Sequence, residues 1–145
     1  MPKIAMEWQR FEELSAAELY EMLRFRQSIF VVEQKSPYLD LDGLDQGAWH
    51  LLARVDGAIS GCLRLIPVPL RIGRVAVAAG LRRRGLARRL TDEALSRCRE
   101  YYPGVPVTLN AQFHLVPFYC SFGFEPTGEP FDDHGVAHID MELRT

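Results

Sequence analysis

Asp56-Gly57 stands between two runs of strand-forming residues, Trp49 to Val55 and Ala58 to Ile66. A two-residue connection of this kind needs positive φ at its centre and returns the chain antiparallel to itself, so the middle of the sequence is committed to a β-hairpin. Pro67 and Pro69 interrupt the next connection, and Ile72, Val75 and Val77 then read as a further strand that ends at Ala79-Gly80. From Gly85 to Tyr102 the periodicity is helical. Leu86, Ala87, Leu90, Ala94, Cys98 and Tyr101 share one face, Arg89, Asp92, Glu93, Ser96 and Glu100 the other, and Pro103-Gly104 is the stop.

The flanking segments extend this pattern. Ser15-Ala16-Ala17-Glu18 has the form of a capping box, and Leu19, Met22, Leu23, Ile29 and Phe30 follow at helical spacing, which predicts a helix from Ala16 to Phe30. Val32 to Gln46, rich in Pro, Gly and Asp, reads as a long loop able to wall a pocket. A strand at Val105 to Gln112, a short helix at Leu115 to Phe122 and a last strand at Ala137 to Leu143 complete the chain. The order helix, hairpin, strand, helix, strand, helix, strand gives an α/β (α+β) layout with a central βαβ unit. No repeat or linker divides the 145 residues, so a single domain spanning 1–145 is expected.

A hydrophobic content of 48% with 25% charged residues is that of an ordinary globular chain. The formal net charge of -2 gives no global attraction to nucleic acid or an anionic membrane. Cys62, Cys98 and Cys120 are odd in number and lack metal-type spacing, which points to a reducing compartment. Glu7, Arg10, Glu12 and Glu13 give the first segment none of the apolar character of a secretory leader, and a cytoplasmic location is expected.

Local charge is another matter. Arg82-Arg83-Arg84-Gly85-Leu86-Ala87 falls where a strand hands over to a helix. Gly85 allows a tight turn, small Ala87 allows close approach, and the first helical turn presents unpaired N–H groups and a positive dipole end to an anion. Arg82, Arg83, Arg84 and Arg88 add charge-assisted contacts suited to a pyrophosphate. The segment lacks the Gly-Lys-Ser/Thr of a P-loop and the spacing of a dinucleotide fingerprint. It resembles motif A of the Gcn5-related N-acetyltransferase (GNAT) superfamily, in which Gln or Arg is followed by two residues, Gly, one residue, and Gly or Ala. Arg82, Gly85 and Ala87 occupy the patterned positions.

One strand later, Phe118-Tyr119-Cys120-Ser121-Phe122-Gly123-Phe124 resembles motif B of the same superfamily, a tyrosine four residues before Gly-Phe. Phe30-Val31-Val32-Glu33-Gln34, Ala111-Gln112, His114-Leu115 and His138-Ile139-Asp140-Met141 are similar to the ElaA-like branch. The resemblance implies a twisted, mostly antiparallel mixed sheet flanked by helices. It also implies acetyl-coenzyme A as cosubstrate, and direct attack by a primary amine on the thioester with Tyr119 as general acid to the departing thiolate. The coenzyme would be held by Val75, Ala76 and Val77 on a splayed strand, by Arg82, Arg83, Arg84, Gly85, Leu86, Ala87 and Arg88 at the turn, and by Gln112, Phe118 and Tyr119. Many members carry Asn where this chain has Gln112, which offers the same amide group.

An alkylamine must lose a proton before it attacks. Glu33 and His138 are the favoured bases, and Glu33, His50, Asn110, His114 and His138 the expected acceptor-side residues. No metal is expected. Gly135 spoils a helical His134/His138 zinc pair, and Leu44 and Leu51 stand where Asp40, Asp42 and Asp45 would need ligands for a calcium loop. The three aspartates read as a turn or an acidic lip attractive to a cationic amine. Expected partners are an amine-bearing small molecule or peptide, with a homodimer left open by the sequence, and with neither nucleic acid nor membrane. A coenzyme-binding module without turnover is the alternative.

Overall fold

The computed structural model describes residues 3–35 and 39–144. Strand β1 (Ile4–Arg10) leads into α1 (Ala16–Gln27), which continues as a π-helical turn over Ser28–Glu33. Then come β2 (Trp49–Val55), β3 (Ala58–Ile66), β4 (Arg71–Val77), α2 (Leu86–Tyr101), β5 (Val107–Gln112), α3 (Val116–Cys120), β6 (Glu125–Pro126), β7 (Phe131–Asp133) and β8 (Val136–Leu143). They form one mixed sheet of order β1-β2-β3-β4-β5-β8-β6, with β7 paired to β8. Among the described residues only β4 and β5 run parallel, so the sheet is mostly antiparallel, as expected.

The local rules explain most of these elements. The predicted capping box opens α1, with the Glu18 amide donating to Ser15 Oγ at 3.1 Å and the Ser15 amide to Glu18 Oε1 at 3.0 Å. Asp56 and Gly57 take φ of 52° and 85° between β2 and β3, as their dipeptide requires. His134 and Gly135 do the same, at 52° and 85°, between β7 and β8. Strand β1 is absent from the sequence-based layout although Ile4, Met6 and Trp8 alternate in the required way; those three pack against the core as its rim.

Helix α2 and the short α3 cover one face of the sheet, where Leu86, Leu90, Ala94, Leu95 and Cys98 meet Leu51, Leu63, Leu65, Leu109 and Met141. Gly61 is required at this seam, because an added Cβ would lie 3.1 Å from Leu86 Cδ2 and 3.2 Å from Leu90 Cδ1. Tyr101, placed by periodicity on the core face, is 53% exposed and instead joins Trp8 and Trp49 in receiving the Arg97 guanidinium over its ring. Helix α1 covers the other face through Met22, with Ile29 and Phe30 of the following turn against Leu52, Cys62 and Ala76.

The predicted end of the first helix, at Phe30, falls inside the π turn. This wider winding carries Ile29 and Phe30 into the core while leaving Glu33 and Gln34 exposed. Part of the loop expected over Val32 to Gln46 lies outside the described residues. What is described of it is fixed by charge: Arg26, 1% exposed on the buried face of α1, donates to Asp45 Oδ1 at 2.7 Å and to Asp40 Oδ2 at 3.2 Å. Among the described residues no helix is long and apolar enough to cross a membrane.

Candidate active site

Strands β4 and β5 pair at a single position, Arg71 with Thr108, where the Thr108 amide donates to the Leu70 carbonyl at 3.0 Å. Beyond it the ladder stops and the strands part. A cleft of about 310 Å³ opens there, walled by Gly73, Arg74 and Val75 of β4 and by Leu109, Asn110 and Gln112 of β5. Strand β4 is also irregular on its other side, with a register shift against β3 between Cys62 and Arg64 and a positive φ of 50° at Arg74. A bulged, half-unpaired strand of this kind leaves main-chain N–H and C=O groups for a ligand instead of a neighbouring strand.

At the far end of β4 the chain turns into α2. Arg83 and Gly85 take φ of 64° and 82°, and Gly85 is the N-cap with no side chain bonded to the first turn. The first turn has no acidic residue, so the 16-residue helix itself sets no anion against its opening amides and positive end. Arg83 and Arg84 are exposed beside it. Arg82 is engaged elsewhere: its Nε donates to the Val77 carbonyl at 3.0 Å and its Nη2 to Glu33 Oε2 at 2.5 Å. Arg88 is also committed, donating to Ser121 Oγ at 2.7 Å and lying over the Phe118 and Phe122 rings at 5.5 and 4.5 Å, which fastens α2 to α3. Leu86 is buried in the core and Ala87 packs at its edge.

Tyr119 of α3 is 7% exposed and lines the cleft, its ring held edge-on by Phe118 at 5.1 Å and Phe124 at 6.1 Å. Burial pushes its phenol up to about 12, so it carries its proton throughout the neutral range. His138 of β8 lines the same cleft, stacked on Phe131. Its Nδ1 lies 2.9 Å from the Val136 carbonyl, which can only accept, so Nδ1 carries a hydrogen, and Nε2 has no hydrogen-bond partner among the described residues. Asn110 also lines the cleft and donates to Asp140 through Nδ2; Gln112 donates to Gln34 Oε1 at 3.3 Å.

Four expectations are not met by this geometry. His50 is 2% exposed and lies away from the cleft wall, donating from Nε2 to the Asp45 carbonyl at 2.8 Å; burial, the dominant influence, lowers its pKa. Glu33 does not line the cleft and is paired with Arg82, and His114 stands exposed on a turn outside the lining. Asp40, Asp42 and Asp45 form no acidic lip, because Arg26, Arg64 and Arg74 neutralise them. Arg64 reaches Asp42 at 2.9 Å and Asp45 at 3.2 Å, and Arg74 reaches Asp40 at 2.7 Å. These arginines escaped the sequence reading, although Arg26 stands in helical line with Met22 and Phe30, and Arg64 between Leu63 and Leu65.

The model of the acetyltransferase (GNAT) domain matches residues 13–145. Protein ElaA of Escherichia coli K12 is 38% identical over 94% of this chain and 95% of its own length. Its crystal structure superposes with a TM-score of 0.93, covering 98% of this chain and all of that one at 36% identity. An acyl-CoA N-acyltransferase from Pseudomonas aeruginosa gives 0.92 at 35% identity, over 97% of this chain and 99% of that one. A GNAT acetyltransferase from Elizabethkingia anophelis, with acetyl-CoA bound in its crystal structure, shares the fold at 14% identity with a TM-score of 0.72, over 98% of both chains. The match of the domain over nearly the whole sequence, with ElaA similar from end to end, makes this chain a member of the GNAT acetyltransferase family.

Proposed function

We propose that the chain is an acetyl-coenzyme A-dependent N-acetyltransferase acting on a primary amine, with Tyr119 as general acid and His138 as the group that takes the amine proton. The observation that carries this reading is the parting of β4 and β5 after one paired residue, between an uncapped helix start and a buried tyrosine. The cradle fits the coenzyme: the amides opening α2 and the Arg83 and Arg84 side chains suit its pyrophosphate, and the free edge of Gly73 to Val77 suits its pantetheine amides. When bound, the coenzyme supplies the activated acyl carbon and a thiolate leaving group.

Tyr119 donates a hydrogen bond that strengthens as charge grows on sulfur. Burial raises phenol and thiol pKa values alike, so the difference between them stays near its solution value, and full proton transfer costs about 2 kcal/mol. His138 Nε2 accepts from the amine, directly or through one water. Of the two bases expected from the sequence it is the better supported, since Glu33 is held by Arg82. Gln112 and Asn110 form the opposite wall, and the first turn of α2 holds the coenzyme's anionic end.

The test is titration of acetyl-coenzyme A into the apo protein, followed by thiol release across a panel of amines. Saturable binding and amine-dependent thiol release are expected. Absence of binding would refute the reading, and binding without transfer to any amine, unaltered in Tyr119→Phe, would mark a coenzyme-binding module instead.

A further inference from the structure

Three arginines line the cleft, Arg64, Arg71 and Arg74, and two of them are neutralised. Arg26, Arg64 and Arg74 are matched one for one by Asp40, Asp42 and Asp45 in a mostly buried cluster whose contacts run from 2.7 to 3.2 Å. The remaining carboxylate on the cleft wall, Asp133, is met by His134 Nδ1 at 2.7 Å. Arg71 is left. It is half-buried at the start of β4, beside Thr108 of β5, and among the described residues its side chain has no hydrogen bond or ion pair. Among the described residues, Arg71 is therefore the one arginine of the cleft lining with no carboxylate beside it.

From this relationship we infer that the acceptor is an amine that also bears a carboxylate, and that Arg71 binds that carboxylate. The inference rests on the N-acetyltransferase reading and deepens it. A guanidinium presents parallel N–H donors that match a carboxylate in two-point contact, and in a partly desolvated cleft such a contact is stronger than in water. The coenzyme's own phosphates are an unsuitable partner. They belong at the start of α2, beyond the other end of β4, and the six residue steps of strand from Arg71 to Val77 span about 20 Å. The acceptor thus lies along β4, its amine toward His138 and Tyr119 and its acid toward Arg71. The balanced cluster beneath has a separate role: it keeps Arg64 and Arg74 from competing for the same acid and keeps Asp42 from repelling it.

Paired acceptors test this. Amines with and without the acid, 4-aminobutyrate against butylamine and lysine against cadaverine, are compared by kcat/KM in the wild type, Arg71→Gln and Arg71→Lys. The wild type is expected to prefer the acid-bearing member of at least one pair by about 10- to 100-fold, Arg71→Gln to abolish the preference, and Arg71→Lys to restore part of it. The Kd for acetyl-coenzyme A should be the same in all three. Equal rates within every pair, or an equal loss on both members in Arg71→Gln, would overturn the assignment while leaving the acetyltransferase reading standing. A readout independent of transfer is NMR of the arginine Nε–H signals, in which 4-aminobutyrate but not butylamine should shift that of Arg71. No shift with either 4-aminobutyrate or lysine would count against the proposal even in an active enzyme.

Discussion

Glu33 and Arg82 join the π turn after α1 to the turn before α2, with Oε2 of one 2.5 Å from Nη2 of the other. Both side chains are about 40% exposed, so the pair contributes little to stability, on the order of 0 to 1 kcal/mol. Its consequence is positional: the Glu33 carboxylate is turned to Arg82 and, unlike His138, does not line the cleft. Glu33→Gln is expected to lower kcat/KM less than about threefold, whereas His138→Gln lowers it by about 100-fold. Steady-state kinetics of the two variants decide the assignment, and the reverse order of effects would return the base to Glu33.

Tyr119 presents a different case, since its ring is packed and its hydroxyl has no hydrogen-bond partner among the described residues. Tyr119→Phe keeps the ring contacts, so the melting temperature and the affinity for coenzyme A should stay close to those of the wild type. Turnover should fall by about 100-fold or more if the phenol assists the leaving sulfur. Calorimetry beside initial rates separates the two effects; a variant with full turnover removes the hydroxyl from the mechanism.

How far the sequence foretold this arrangement depends on which residues carried it. Short-range rules located α1 at Ser15, the hairpin at Asp56-Gly57 and the arginine-glycine turn at Gly85, because each depends only on residues a few positions apart. The parting of β4 from β5 became legible only through the family resemblance, since nothing in the composition of either strand says where pairing must stop. The fate of the charges was not legible at all. Asp42 and Arg64 are 22 positions apart, and Arg26 and Asp45 are 19, so their neutralisation is a property of the fold. For the same reason His50 looked available when it is enclosed, and the sequence did not mark Arg71 as the arginine of the cleft lining with no carboxylate beside it among the described residues.

The enclosed cluster makes a prediction about stability. Asp45→Asn leaves Arg26, 1% exposed, and the nearly buried Arg64 facing an amide in place of a carboxylate. Removing one partner of a buried pair costs about 3 to 5 kcal/mol, because the surviving charges stay desolvated. Urea unfolding monitored by circular dichroism should show a loss of that size. Arg26→Met together with Asp45→Asn should recover part of it; a cost below about 1 kcal/mol for Asp45→Asn would mean that the cluster is solvated in practice.

Acid should dismantle the same cluster in two stages. Burial lowers the His50 pKa below its ordinary 6.5, so the unfolded chain binds the proton more readily, and stability present above that value declines as pH falls through it. Burial alone would raise Asp42, but the hydrogen bond from Arg64 prevails and holds it at about 2 against an ordinary 3.8. Its contribution is complete above 3.8 and disappears as pH falls toward 2. Asp45 follows in the same direction, its burial outweighed by Arg26. Melting temperatures measured from neutral pH downward should show a shallow fall below about pH 6.5 and a steeper one below about pH 4, with His50→Gln abolishing the first. A flat profile across both windows would exclude the cluster as the acid-labile element.

Gly85 separates a backbone requirement from a spatial one. Its φ of 82° is left-handed, and an added Cβ would meet nothing within 4 Å, so in the free protein the position has room for a side chain but the wrong dihedral for one. Gly85→Val forces a β-branched residue into that region, at about 1 to 2 kcal/mol, and should weaken coenzyme A binding by about tenfold as the turn relaxes. Asn adopts the left-handed region at little cost, so Gly85→Asn should retain most of the stability. Its affinity is the informative number: near-normal binding would show that only the dihedral matters, whereas binding as weak as in Gly85→Val would show that the open space over Gly85 is filled by the coenzyme's phosphates.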